Sequence, residues 1–289
     1  MIGGDFSPAV SILGVGELLF FGTKTGSLCV FNNDKRGQPP PYVAEDEGYE
    51  YKIFSIVKKF PGIERIELEG KHLMAGGIDA HVHFRDPGLT HKADMETESR
   101  AAIAGGVTTA FDMPNTRPAT ISAESFSGKL ALAKEKSCMN LGFHFGATNC
   151  NIDEIERILN GETSLSPKEI KGIKVFMGSS TGNMLVDKRN ELEKIFEEAN
   201  KLDMPVAVHC EDSAIISANT KAIKEQEGND PDVKFHPVIR SEEACYQSTA
   251  SAVELAKKFG TRLNVMHIST AKELELLTAG KTTNKRITA

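Results

Sequence analysis

The sequence predicts an α/β fold of the (β/α)8 barrel type, incomplete in this chain at about six strand/helix units and preceded by a small N-terminal β segment. Three observations carry this. From Met74 onward, short apolar runs alternate with longer amphipathic stretches. The chemically loaded residues sit at the C-terminal ends of several different runs: His81 and His83, then Asn115, Lys174, His209 and His267. An open sheet gathers its chemistry at one switch point, whereas a barrel draws on many strand ends. Finally, a complete barrel takes about 250 residues. Six units leave only Ala271 to Ala289, so both remaining strands do not fit, and the expectation is a chain that stops before its last strands.

The expected strands are Ile78–Phe84, Val107–Met113, Leu141–Ala147, Ile173–Met177, Val206–His209 and Leu263–Ile268. Between them, Glu96–Ala104 reads as a helix stopped by Gly105-Gly106, and Glu191–Lys201 as a helix with a charged outer face. Asn151 to Glu154 has capping-box spacing, and Thr270 to Glu273 opens a further helix in the same way. We place the barrel at residues 61–289 and a β-rich segment at 1–60. In that segment, Glu17–Phe21 and Ser27–Phe31 read as two strands, and Pro39-Pro40-Pro41 with Glu45-Asp46-Glu47 as an exposed linker. Gly14-Val15-Gly16 reads as a plain turn, since it lacks the third glycine and helix of a nucleotide loop.

Composition narrows the function. With 289 residues, 40% hydrophobic and 26% charged, the chain has ordinary globular character. A net charge of −6 and the lack of a basic block argue against nucleic acid and for a small-molecule substrate. Five cysteines without a C-x-x-C pair suit a reducing compartment. No leader or membrane-length apolar run is present, so the expected location is cytoplasmic, without membrane partners, and a homodimer is the assembly considered.

His81 and His83, two apart on a strand, face one side and can meet one point beyond its end, as metal-ligating imidazoles do. His209 and His267 close two further apolar strands, and four such histidines on three strands favour a metal site. Lys174 lies inside an apolar strand, where an unpaired ammonium is costly. It either reaches the barrel mouth, pairs with an acid such as Asp212, or loses its proton and takes up carbon dioxide as an anionic carbamate able to bridge two metals. Asp79 shares the histidine face and suits an orienting role. Cys210 faces away from the site and packs, His144 reads as an interior structural residue, and His72, His91 and His236 as loop or surface residues. Gly178-Ser179-Ser180-Thr181-Gly182 lacks a P-loop ending and reads as a flexible loop.

These residues, in this order, resemble the amidohydrolase superfamily and within it the dihydroorotases, over residues 70 to 289. The resemblance implies that His81 and His83 bind one zinc, that carboxylated Lys174 bridges to a second, and that His209 and His267 bind the second. It implies that Arg85, in Phe84-Arg85-Asp86-Pro87-Gly88, and Asn115, in Met113-Pro114-Asn115-Thr116, hold the substrate carboxylate. From the residues alone, Arg85 can equally form a surface ion pair with Asp86 or Glu96, and Asn115 a turn beside Pro114. The implied reaction interconverts dihydroorotate and N-carbamoyl-L-aspartate in pyrimidine biosynthesis, with an aspartate base expected beyond residue 289. Hydantoinase, allantoinase or dihydropyrimidinase activity, or a catalytically inactive assembly module, are the alternatives.

Overall fold

A parallel sheet of seven strands, in sequence order across its width, carries the C-terminal unit. The computed structural model describes residues 75–178, 184–281, 283 and 285–289, and four strands within residues 14–67. The chain divides into two compact units, Met1–Ala75 and Gly76–Ala289. In the first, β1 (Gly14–Val15), β2 (Leu18–Gly22), β3 (Ser27–Asn32) and β4 (Glu64–Glu67) form an antiparallel sheet in that order. β2 and β3 match the two expected strands, and Gly14-Val15, read as a turn, is itself a short strand. The expected linker, His72 and residues 179–182 lie outside the described residues.

In the second unit the strands are β5 (Gly77–Val82), β6 (Val107–Asp112), β7 (Asn140–Gly146), β8 (Ile170–Phe176), β9 (Val206–His209), β10 (Leu263–Val265) and β11 (Ile287–Thr288). Each pairs in parallel with the next. The first six match the expected strands within a few residues. β11 is a seventh that two residues of apolar pattern do not announce, and β5 and β11 are the open edges of the incomplete barrel.

The helices are α1 (Met95–Ala104), α2 (Ala123–Lys136), α3 (Ile152–Leu159), α4 (Arg189–Lys201), α5 (Ser213–Glu227), the single turn α6 (His236–Ile239) and α7 (Glu242–Phe259). Local chemistry sets their ends. Asp94 accepts from Thr97 N to start α1, Ser122 forms a capping box with Ser125 at α2, and Gly260, at φ 73°, closes α7. Two expectations fail here. Asn151 does not cap α3; its Oδ1 accepts from Thr148 N, its Nδ2 donates to Ile121 O and Gly146 O, and Glu154 turns instead to Ala123 N. Tertiary partners outcompete the local box. The segment after Thr270 is only a 3-10 turn (Lys272–Leu276), although Glu273 does accept from Thr270 N. Among the described residues, no helix is long and apolar enough to cross a membrane.

Strand alternation sorts side chains into two layers. Phe143, Phe145, Ile173, Val175, Val206, Val208, Leu263 and Val265 join Phe126, Ile155, Ile195, Phe196 and Val253 of the helices in the main core. The opposite face carries a small second cluster of Met113, Ala207 and Met266. Lys174 and His209 belong to that inner face by parity, and Lys174 is in register with Ala207, whose small side chain leaves room beside it.

Candidate functional site

Parity and strand register bring the expected ligands to one end of the sheet. His81, on β5, and His83, just past it, alternate with Ala80 and Val82, and their ring centroids are 5.2 Å apart. His209 is the last residue of β9, paired with Phe176 at the end of β8. His267 comes two residues after β10 ends, so alternation alone would turn it toward the core. A left-handed backbone at His267 (φ 45°) re-aims it, which places its ring centroid 5.3 Å from His81 and 4.9 Å from His209. Four rings from three strands thus form a continuous row.

Lys174 is fully buried, with Nζ 3.4 Å from Met266 Sδ and 4.7 Å from the centre of the Phe176 ring. Asp212, the acid considered as its partner, instead caps α5 through Ala214 N and Ile215 N. Burial therefore pushes the Lys174 amine down to about 7. The imidazoles are driven the same way. Burial, then the charge of Lys174 and the neighbouring rings, lowers His81 to about 3; burial, then the charge of Arg85, lowers His83 to about 4; burial and His209 lower His267. All three are neutral near pH 7, the form in which a ring nitrogen is a ligand.

Hydrogen bonds fix two of the rings. His83 Nδ1 lies 2.9 Å from Asn115 Oδ1, which leaves Nε2 as its lone-pair end. His209 Nε2 lies 2.7 Å from Glu211 Oε2, which leaves Nδ1 facing His267 Nε2 at 3.2 Å. Two nitrogens bound tetrahedrally to one zinc at about 2.0–2.1 Å stand about 3.3–3.4 Å apart, so His209 and His267 fit a shared cation. Among the described residues, no group of three or more His, Cys, Asp or Glu side chains is placed to hold a metal ion. The nitrogen spacing that suits a shared cation is the one between His209 and His267.

The polar groups around the row differ in part from the expected arrangement. Asp79 is exposed, and its carboxylate accepts from its neighbour's backbone, His81 N, at 3.0 Å, so it orients no imidazole. Asn115, expected to face substrate, turns its oxygen to His83. Asp86 pairs with Lys136, 3.0 Å away, and Glu96 with Arg100, so neither takes up Arg85. Arg85 also has a left-handed backbone (φ 61°), and its buried Nη1 has no hydrogen-bond partner among the described residues. His144 is buried with Nε2 3.3 Å from Ala80 O, and Cys210 is packed near Met177, its thiol pushed up by burial to about 12. His91 is exposed, and His236, exposed at the start of α6, also lines a cavity of about 300 Å³ with His209, Glu211, Arg240, Met266 and His267.

Glu211 and Arg240 escape a reading of the sequence. Glu211 follows His209 by two residues, a spacing that signals a carboxylate near a strand-terminal histidine, but Arg240 comes from 29 residues further on and meets it only through the fold.

A curled parallel sheet with histidines and a buried lysine at its C-terminal end defines the class, and the comparisons agree. The chain belongs to the amidohydrolase family, whose model matches residues 72–236. It is 34% identical over 216 residues to a dihydroorotase from Methanosphaera stadtmanae, covering 74% of this chain and 46% of that protein. It is 33% identical over 236 residues to an allantoinase from Desulfitobacterium hafniense, covering 78% of this chain and 49% of that one. A solved L-hydantoinase (dihydropyrimidinase) from Arthrobacter aurescens superposes with a TM-score of 0.67 at 25% identity, over 92% of this chain and 52% of that chain. The chain thus spans about half the length of the relatives it matches. Its kinship is with hydrolases of the cyclic amidohydrolase kind, and the resemblance to dihydroorotases read from the residues holds.

Proposed function

We propose that this chain is the metal-binding part of a zinc-dependent dihydroorotase, which interconverts dihydroorotate and N-carbamoyl-L-aspartate. The observation that carries this reading over the other cyclic amides is Arg85. A buried guanidinium nitrogen without a partner is costly, and a carboxylate on the substrate relieves that cost through a charge-assisted pair. Hydantoin and allantoin lack that carboxylate.

In this reading His81 and His83 hold one zinc and His209 with His267 the second. Zinc supplies Lewis-acid polarisation of the ring amide carbonyl and a water acidic enough to ionise near neutral pH. Lys174, with its amine near 7, has a substantial neutral fraction at physiological pH. That form could add to carbon dioxide with release of a proton, and the resulting carbamate would supply two anionic oxygens as metal ligands. Asn115 holds His83 through Oδ1, and in this reading it also contacts the substrate carboxylate. We assign no described residue as the base that moves the proton to the leaving nitrogen.

The test measures zinc content of the 289-residue chain and its turnover of dihydroorotate, hydantoin and allantoin. Bound zinc with dihydroorotate turnover is expected. Turnover of the uncharged rings alone transfers the assignment to a hydantoinase or allantoinase, and zinc without any turnover makes the chain an assembly module. Arg85→Met is expected to spare zinc and to raise KM for dihydroorotate by about tenfold or more; an unchanged KM removes Arg85 from substrate binding.

A further inference from the structure

The second imidazole pair is held by a carboxylate, and that carboxylate is itself held. Glu211 is 8% exposed, and its Oε2 accepts from His209 Nε2 at 2.7 Å and from Arg240 Nη1. Its backbone is clamped as well. Gly178 packs so closely that a Cβ there would lie 2.3 Å from Glu211 O and 2.7 Å from Glu211 Cβ. On either side of it, Met177 N donates to His209 O and Asp212 N to Ala244 O, each at 2.9 Å.

An ionised carboxylate can only accept hydrogen bonds. Contact with Glu211 therefore puts the imidazole proton on His209 Nε2 and the lone pair on Nδ1, the nitrogen 3.2 Å from His267 Nε2. The guanidinium of Arg240, at the end of α6, donates to the same oxygen, and both side chains line the cavity beside His209 and His267. The corresponding contact on the first pair is a neutral amide, Asn115 on His83.

We propose that Glu211 and Arg240 are a positioning pair that sets His209 in its Nε2–H tautomer and aims Nδ1 at the cation it shares with His267. This rests on the reading of His209 and His267 as metal ligands, and goes beyond it by naming what orients them. Neither residue touches substrate in this role. Removing such an outer contact typically weakens metal binding by about 10- to 100-fold.

The experiment uses the 289-residue chain and zinc alone as the probe. Long-range imidazole ¹H–¹⁵N spectra of the metal-free chain, assigned with a His209→Ala variant, are expected to show His209 protonated at Nε2; protonation at Nδ1 overturns the proposal without any Glu211 variant. Chelator competition is expected to show zinc affinity lowered about tenfold or more by Glu211→Gln, whose amide can also donate to Nε2 and so favour the wrong tautomer, and lowered by Arg240→Met but restored by Arg240→Lys. If Glu211→Gln fails to fold by circular dichroism, the parent spectrum and the Arg240 variants decide. His267→Ala separates the two levels of inference. Zinc affinity lost in His267→Ala but kept within about twofold in Glu211→Gln overturns the positioning role alone; affinity unchanged in both overturns the metal reading with it.

Discussion

At the residue scale, the site concentrates basic groups that cannot all be charged. Lys174, His81, His83, His144 and His267 all have lowered pKa values, with burial the first cause in every case. His144 offers the cleanest test, being 5% exposed and outside the row of four rings. Its pKa falls from 6.5 to about 4 in the folded chain, because burial outweighs its bond to Ala80 O. Above pH 6.5 both folded and unfolded states carry neutral His144. As pH falls through that value, the unfolded chain binds a proton that the native one refuses, so stability drops until the folded pKa is reached. The loss attributable to His144 is ~3 kcal/mol, the product of the shift and 1.36 kcal/mol per pH unit. Urea unfolding of the metal-free chain between pH 7 and pH 4 is expected to show a shallower decline in His144→Gln than in the parent; equal slopes place the acid sensitivity elsewhere. The chemistry of these residues was readable in advance because imidazole and amine in apolar runs are conspicuous. Their partners were not. Asp79 looked like an orienter from its parity, yet it bonds to a backbone N–H, while Glu211 and Asn115 hold the rings.

At the scale of elements, the end of β5 depends on a buried ion pair. Asp112 closes β6, its Oδ1 accepts from Phe84 N at 2.8 Å, and its Oδ2 lies 2.6 Å from Lys129 Nζ, which also donates to Met113 O. Both side chains are essentially inaccessible. The pair fastens α2 to β6 and pins the backbone between His83 and Arg85, the residues proposed to bind metal and substrate. Lys129→Met leaves Asp112 buried without its cation and is expected to cost about 3–5 kcal/mol in urea unfolding at pH 7. A loss under about 1 kcal/mol means water or another group replaces the ammonium. Here too the sequence shows the elements better than their fastenings. Apolar runs such as Val206-Ala207-Val208 declare a buried strand, whereas the partner of a lysine on an amphipathic helix is decided by which strand the helix lands on.

At the scale of the whole chain, the sheet of the second unit ends in two strands, β5 and β11, that among the described residues pair on one side only. Ile78, on β5, is 70% exposed. An exposed edge with an apolar side chain invites pairing with another chain, and charge on an edge discourages it. The 289-residue chain is therefore expected to self-associate, and Ile78→Lys to shift its sedimentation toward monomer with little change in unfolding free energy. Sedimentation unaffected by the substitution puts the contact on another surface.

The amino-acid order alone determined the α/β alternation, the placement of chemistry at strand ends, the two imidazole pairs and the buried lysine, because period, polarity and the cost of a charge in an apolar strand are local properties. Only the tertiary structure decided that His267 turns toward His81 and His209 through a left-handed backbone, that a buried Arg85 nitrogen has no hydrogen-bond partner among the described residues, and that Arg240 meets Glu211. Those outcomes depend on which distant segments pack together, and packing is settled by the free energy of the assembled sheet and helices rather than by any short stretch of the chain.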